Sequence, residues 1–154
     1  MADLYELFQK LGGDYATKGL RFLPEPQRTE ELSKVLARHL EKGRLDGAQA
    51  TAELLGRALT AEELSQVLAG CLKEGRLDSA RTTTALLGRA LTAEELSQIL
   101  AGCLEKRLLD RARVTATLLP EPQRTEGLSQ VLARCLEEGR LDSAQKTADL
   151  ILAT

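Results

Sequence analysis

Residues 54–72 read LLGRALTAEELSQVLAGCL, and residues 86–104 read LLGRALTAEELSQILAGCL. The two stretches differ only where Val67 is replaced by Ile99, and they begin 32 residues apart. The same spacing places identical residues in register along most of the 154-residue chain, as in the series Asp46, Asp78, Asp110 and Asp142. A fixed period of this length is typical of proteins that are built from repeated supersecondary units.

The period divides the chain into a leader and four repeats. The leader spans residues 1–27, and the repeats span residues 28–59, 60–91, 92–123 and 124–154. All four aromatic residues lie in the leader: Tyr5, Phe8, Tyr15 and Phe22. A terminal repeat commonly departs from the consensus, because its outer face meets water and not a neighbour. We therefore predict a single repeat domain over residues 1–154, with the leader as a divergent N-terminal capping hairpin.

Each repeat contains the pattern of two helices. Thr60 and Glu63 have the spacing of a capping box, in which the threonine hydroxyl accepts a backbone N–H and the glutamate reaches back. Thr92 and Glu95 have the same spacing. Apolar residues follow at intervals of three and four: Leu64, Val67, Leu68, Cys71 and Leu72. This spacing predicts one buried helix face, and the absence of sustained alternation excludes strands.

Glycine marks the turn between the two helices. We expect Gly75 to end the first helix, because glycine adopts the left-handed conformation at little cost. We expect Asp78 and its equivalents to cap the second helix, with Leu77 packed beneath the turn. The second helix is predicted to bury Ala80, Thr84 and Leu87. Arg107 stands where the other repeats have glycine, which we expect to destabilise that turn by about 1 kcal/mol.

Residues 71–80, CLKEGRLDSA, resemble the turn between the paired helices of tetratricopeptide repeats and, more closely, of pentatricopeptide repeats. The resemblance covers the helix-turn-helix core of each repeat. It implies an all-α fold, a right-handed α-solenoid of stacked helix-turn-helix repeats that presents a binding surface. The period here is 32 residues, whereas tetratricopeptide repeats have roughly 34. The base-reading positions of pentatricopeptide proteins are therefore not carried over to this chain.

Three cysteines and the only histidine share one position of the repeat: His39, Cys71, Cys103 and Cys135. Such a set could bind zinc by composition. However, equivalent positions on stacked helices lie about 8–10 Å apart, whereas zinc ligands lie about 2.0–2.3 Å from one ion. Disulfides are excluded by the same separation, since Cα atoms more than about 7 Å apart cannot be bridged. We predict no metal and no cofactor, and we expect the thiols to pack as small side chains.

Paired glutamates recur near the start of three first helices: Glu30–Glu31, Glu62–Glu63 and Glu94–Glu95. They could suggest acid–base catalysis, but negative charge in a first turn complements the helix dipole, and the second glutamate can cap. A pair that recurs in three repeats indicates architecture and not a single active site. His39 is the only histidine that could activate a nucleophile, and no familiar catalytic motif occurs. We predict that the protein is not an enzyme.

The charge balance is slightly acidic, with 23 acidic and 21 basic residues and a net charge of −2. Non-specific binding of nucleic acid depends on a basic surface, and the repeats lack aromatic residues that would stack on bases. Binding of RNA is therefore kept only as the alternative function. The longest apolar run, Leu150–Ala153, is too short to cross a bilayer. We expect a cytoplasmic protein without a membrane partner. The cytoplasm is a reducing compartment, which also suits free thiols.

Outward positions that vary between the repeats are the candidates for binding a protein or peptide. On the first helices, two such series are Lys34, Gln66, Gln98 and Gln130, and Arg38, Gly70, Gly102 and Arg134. Their polar members are the predicted partner-binding residues. Sequence drift on a solvated face is the alternative explanation of the same pattern.

The last helix ends in Leu150, Ile151 and Leu152, which should leave apolar surface that another repeat would ordinarily cover. We predict self-association through this end. The contact would join it to the aromatic leader of another copy in a head-to-tail assembly, or to itself in a homodimer. The predicted function is a non-catalytic repeat scaffold that binds a protein or peptide, or assembles with itself.

Overall fold

The computed structural model describes residues 3–153. Over this range the chain is 77% helical, with ten α-helices and no β-strand, which confirms the predicted all-α class. The helices are α1 (Leu4–Leu11), α2 (Gly13–Gly19), α3 (Gln27–Glu41), α4 (Leu45–Leu54), α5 (Ala61–Glu74), α6 (Leu77–Leu86), α7 (Ala93–Glu105), α8 (Leu109–Thr117), α9 (Gln123–Glu137) and α10 (Leu141–Leu152). None of these helices has the length and apolar character needed to cross a membrane.

The chain forms two compact units, Met1–Val67 and Leu68–Thr154, and the boundary between them lies within α5. In the N-terminal unit, α1 packs on α2 and α3 packs on α4. A single 3₁₀ turn, Leu20–Phe22, contacts α1, α2 and α3. The ring centroids of Phe8 and Phe22 lie 5.3 Å apart, so these two aromatic residues of the leader contact each other.

In the C-terminal unit, each helix from α7 to α10 packs on the next one along the chain. Contacts also join α7 to α9 and α8 to α10. The core of this unit consists of small and branched side chains that are at most 7% exposed: Leu96, Ile99, Leu100, Cys103, Leu109, Ala112, Ala116, Leu128, Val131 and Cys135. Packing therefore depends on close approach of helices and not on aromatic bulk.

The predicted first-helix pattern is confirmed. Both capping boxes form: the N–H of Glu95 donates to Thr92 Oγ1 at 3.1 Å, and the N–H of Thr92 donates to Glu95 Oε1 at 3.0 Å. The same two bonds join Thr60 and Glu63. The apolar stripe of α5 is buried except for Leu72, which is partly exposed.

The predicted role of the aspartate series as N-caps is wrong. The second helices begin at Leu45, Leu77, Leu109 and Leu141, one residue before each aspartate. The cap positions belong to Arg44, Arg76, Leu108 and Arg140, without a side-chain hydrogen bond. Leu77 is only 3% exposed, so the predicted burial of this leucine is confirmed. Because the leucine itself is helical, the aspartate lies in the first turn, where its charge still complements the helix dipole.

A series of buried threonines holds the second helices, and the sequence pattern did not single it out. Thr51, Thr83, Thr115 and Thr147 are each at most 1% exposed. Each hydroxyl donates to the carbonyl oxygen four residues earlier, at 2.7–2.8 Å. The bond satisfies a buried polar group within its own helix, so threonine fits this apolar position. Ala80 and Thr84 are buried as predicted, whereas Leu87 is partly exposed.

The turns after the first helices require left-handed backbone, as predicted. Gly75 has φ +68° and Gly139 has φ +70°. Arg107 adopts the same conformation, with φ +60°, and no other residue in the range 3–153 apart from glycine has a positive φ. The fold therefore imposes this geometry even where the sequence lacks the residue that adopts it most readily.

Candidate functional site

A cavity of about 360 Å³ lies in the N-terminal unit, lined by α1, α2, the 3₁₀ turn and α3. We call it the N-terminal cavity. Its apolar wall includes Val35 and Leu20, and its polar rim includes Tyr5, Gln9 and Thr17. The amide of Gln9 is fixed, because its Nε2 donates to the carbonyl oxygen of Ala16 at 2.6 Å. This hydrogen bond joins α1 to α2 on the side of the cavity that the leader forms.

Basic residues from the end of α3 and the turn after it line the opposite side: Arg38, His39, Lys42 and Arg44. Glu31 is the only carboxylate in the lining, and its Oε1 accepts from Lys34 Nζ at 3.2 Å. Within residues 3–153, Arg38, Lys42 and Arg44 form no ion pair. The cavity therefore gathers positive charge that the described part of the chain leaves without a contacting carboxylate.

His39 lies between this cavity and a second one. Burial lowers the pKa of His39, and the positive charges of Arg44, Arg38 and Lys42 lower it further, while Asp14 acts in the opposite direction. The second cavity, of about 640 Å³, is lined by His39 together with Asp14, Asp46 and Glu53. The imidazole also packs on Gly47, where an added methyl group would overlap the ring. His39 therefore packs on Gly47 of α4 and has a basic cavity on one side.

The predicted partner-binding residues are divided between the two units. Lys34, Gln66, Gln98 and Gln130 are exposed, as predicted. Arg38 lines the N-terminal cavity. Arg134 instead caps a helix end, because its Nη1 donates to the carbonyl oxygen of Leu104 at 3.1 Å.

Two members of the same series are corrected by the structure. Gly70 and Gly102 were expected to face outward, but both are buried. A Cβ atom at Gly102 would lie 3.0 Å from the backbone nitrogen of Gly75, so the turn after α5 packs directly on the backbone of α7. The close approach of backbone that glycine permits is confirmed at this position. The helix face that is buried is consequently wider than the apolar stripe alone indicates.

The cysteines are buried thiols in helix faces. Cys71, Cys103 and Cys135 are each 0% exposed. Burial raises the pKa of Cys71 and Cys103, and Cys103 Sγ donates to the carbonyl oxygen of Gly75 at 3.2 Å. Among residues 3–153, no three side chains of His, Cys, Asp or Glu come close enough to hold a metal ion. A thiol that is buried with a raised pKa is a poor nucleophile, because the thiolate is the reactive form.

The glutamate pairs serve the helix starts. Arg89 donates to both carboxylate oxygens of Glu95, at 2.8 and 2.9 Å, and this pair, with the Thr92 N–H, lowers the pKa of Glu95 to about 2. Arg57 and Glu63 form the same arrangement in the N-terminal unit. Glu31 differs, since it pairs with Lys34 and α3 has no side-chain cap. A sequence signal for the arginine did exist: it lies six residues before each capping glutamate.

The C-terminal unit exposes apolar residues at positions that are buried elsewhere in the chain. Leu141 is 64% exposed, whereas its equivalents Leu77 and Leu109 are 3% and 1% exposed. Leu136 is 56% exposed. We call Leu136, Leu141 and the turn at Gly139 between them the C-terminal apolar surface. The three residues predicted for self-association differ: Leu152 is 81% exposed, but Leu150 and Ile151 are partly buried.

The N-terminal unit has exposed apolar residues of its own, on α1 and α2. They are Leu4, Leu7, Leu11 and Tyr15, which are between 43% and 65% exposed. We call these four residues the leader surface.

Comparison of the chain with protein-family models, curated proteins and solved structures found no match.

Proposed function

We propose that the protein is a non-catalytic helical-repeat scaffold whose function is association, with a second copy of the chain as its partner. Its helix pairs would stack as a right-handed α-solenoid, as the resemblance to tetratricopeptide and pentatricopeptide repeats implies. Contacts of each helix from α7 to α10 with the next, and of α7 with α9 and α8 with α10, support this stacking. A cytoplasmic location is part of the proposal, because buried thiols suit a reducing compartment.

The exposure of Leu141 is the observation that carries the proposal. In the same unit, the equivalent turn at Gly75 is covered by later helices: Cys103 Sγ and Arg111 Nη1 both donate to its carbonyl oxygen at 3.2 Å. At Gly139, an added Cβ would meet nothing within 4 Å. The C-terminal apolar surface therefore has the residue types of a covered turn, but no side chain within residues 3–153 covers it. Exposed apolar surface of this kind is typical of interaction sites.

The leader surface has exposed residues at the positions of the repeat that cover the turn at Gly75. Leu7 and Tyr15 occupy the positions equivalent to Cys103 and Arg111, the two residues that cover the turn at Gly75. Leu7 is 43% and Tyr15 is 56% exposed. A second copy would thus place its leader surface on the C-terminal apolar surface of the first. Such a contact joins two different surfaces, so it generates a head-to-tail series.

Light scattering coupled to size-exclusion chromatography tests the association, across a hundredfold dilution in reductant. We expect the mass of the wild-type protein to rise with concentration above the 16.8 kDa of one chain. Leu141→Ser should hold the mass at that of a monomer. Val114→Ser is the matched control, because Val114 is 48% exposed in the same unit but outside both surfaces. A wild-type mass that stays monomeric throughout would overturn the proposal.

Mixing two variants distinguishes the head-to-tail contact from a symmetric dimer. Leu7→Ser leaves the C-terminal apolar surface intact, and Leu141→Ser leaves the leader surface intact. In a head-to-tail contact each variant alone is a monomer, and the mixture gives a dimer that cannot extend. A symmetric dimer through the C-terminal apolar surface would form from Leu7→Ser alone, and this result would exclude the leader as the partner surface.

A further inference from the structure

The N-terminal cavity gathers three cations that form no ion pair within residues 3–153, whereas the arginines Arg107, Arg134 and Arg140 at the other end of the chain each pair with a glutamate. Its basic residues Arg38, Lys42 and Arg44 fall on three positions of the 32-residue period. The equivalent residues in the second repeat are Gly70, Glu74 and Arg76, and in the third they are Gly102, Lys106 and Leu108. In the fourth repeat they are Arg134, Glu138 and Arg140, so only the first repeat has a cation at all three positions. The charge of the cavity is therefore not a property of the repeated framework.

The acidic partners present at the equivalent turns are absent from this cavity. Glu74 pairs with Lys106, and Glu138 pairs with Arg107, so the cations at those turns have contacting carboxylates. Glu31, the one carboxylate in the cavity lining, is already paired with Lys34. Like charges that line one concave surface raise the local positive potential and attract a counter-ion.

We infer that the N-terminal cavity binds a small organic oxyanion with two or more negative charges, held by Arg38, Lys42 and Arg44. Arginine is suited to this task, since its planar guanidinium donates two parallel hydrogen bonds to a phosphate or carboxylate. The volume of about 360 Å³ exceeds that of a bare phosphate ion and falls in the range of ligand pockets. Val35 and Leu20 supply an apolar wall for the remainder of such a ligand.

His39 provides a direct readout, because it is the only histidine of the chain and lines the cavity. Its imidazole resonances can be followed by NMR while pyrophosphate or citrate is added at constant ionic strength. We expect a saturable shift in the millimolar range or below, and a rise in the pKa of His39 as the anion offsets the nearby cations. Pyrophosphate binding tighter than citrate would assign the site to phosphate-bearing ligands, and the reverse order to polycarboxylates.

Variants test whether the cavity itself is the site. Arg38→Gln and Arg44→Gln should each weaken binding by roughly tenfold or more, as expected when a charged hydrogen bond is lost. Arg81→Gln is the matched control, because Arg81 is an exposed arginine of the C-terminal unit. The inference is overturned if neither anion shifts His39 more than sodium chloride of equal ionic strength does. It is also overturned if Arg81→Gln weakens binding as much as Arg38→Gln.

Discussion

The Sγ atom of Cys103 lies 3.2 Å from the carbonyl oxygen of Gly75, although 28 residues separate the two along the chain. This contact is possible because the turn at Gly75 packs against the backbone of α7 without an intervening side chain. A Cβ atom at Gly75 would lie 2.8 Å from the backbone nitrogen of Cys103. Gly75 is therefore constrained twice, by its positive φ and by the helix that lies on it.

Replacing Gly75 with alanine should destabilise the protein far more than the same change at Gly139. Both residues have a positive φ, of +68° and +70°, so both substitutions introduce the same backbone strain, about 1–2 kcal/mol. Only at Gly75 does the new methyl group meet backbone, which should add about 1–3 kcal/mol. Urea unfolding of the two variants measures the difference. Equal losses would mean that the turn does not pack on α7 as described.

Arg107→Gly should stabilise the protein relative to Arg107→Ala by about 1 kcal/mol. Both substitutions remove the ion pair between Arg107 and Glu138, in which the arginine side chain is 73% exposed. The loss of this ion pair therefore cancels in the comparison. Only glycine relieves the strain of φ +60°. Thermal or urea unfolding gives the two free energies. If the alanine variant is as stable as the glycine variant, the left-handed conformation at this turn is not the source of strain.

Acid should remove the stabilisation that Glu95 provides. Because Arg89 and the Thr92 N–H lower the pKa of Glu95 from 4.5 to about 2, folding favours its ionised form. Its contribution is therefore complete above about pH 4.5 and is lost as the pH falls toward about 2. The stability difference between wild type and Glu95→Gln should shrink over that window. Glu94→Gln, at the exposed neighbouring residue, is the matched control, because the bonds from Arg89 and the Thr92 N–H go to Glu95.

His39 and Gly47 should behave as a coupled pair. Gly47→Ser alone should destabilise the protein by about 1–3 kcal/mol, because its Cβ would overlap the imidazole of His39. The double variant His39→Cys with Gly47→Ser has the residue types that occupy the equivalent positions, Cys71 and Ser79, in the next repeat. It should recover most of the loss, with a coupling energy of at least about 1 kcal/mol. Additive effects in the double-mutant cycle would show that the two residues pack independently.

Helix ends were predictable because they depend on residues close together in the sequence. Thr92 and Glu95 are three residues apart, and their capping box forms as the spacing indicates. The left-handed turn at Gly75 is equally local. The aspartate series shows the limit of this reasoning. Asp78 has a residue type that favours the cap, but burial of Leu77 includes the preceding residue in the helix and moves the start.

The sequence by itself determined the two-helix pattern and its period, because capping, glycine turns and apolar spacing act within a few residues. Tertiary structure decided which surfaces and charges remain unmatched. Leu109 and Leu141 are identical residues at equivalent positions, yet one is 1% and the other 64% exposed. The sequence shows the three cations of the N-terminal cavity, but it does not show that no carboxylate within residues 3–153 pairs with them. Exposure and charge balance depend on which side chains the rest of the chain brings near, and local sequence does not specify that.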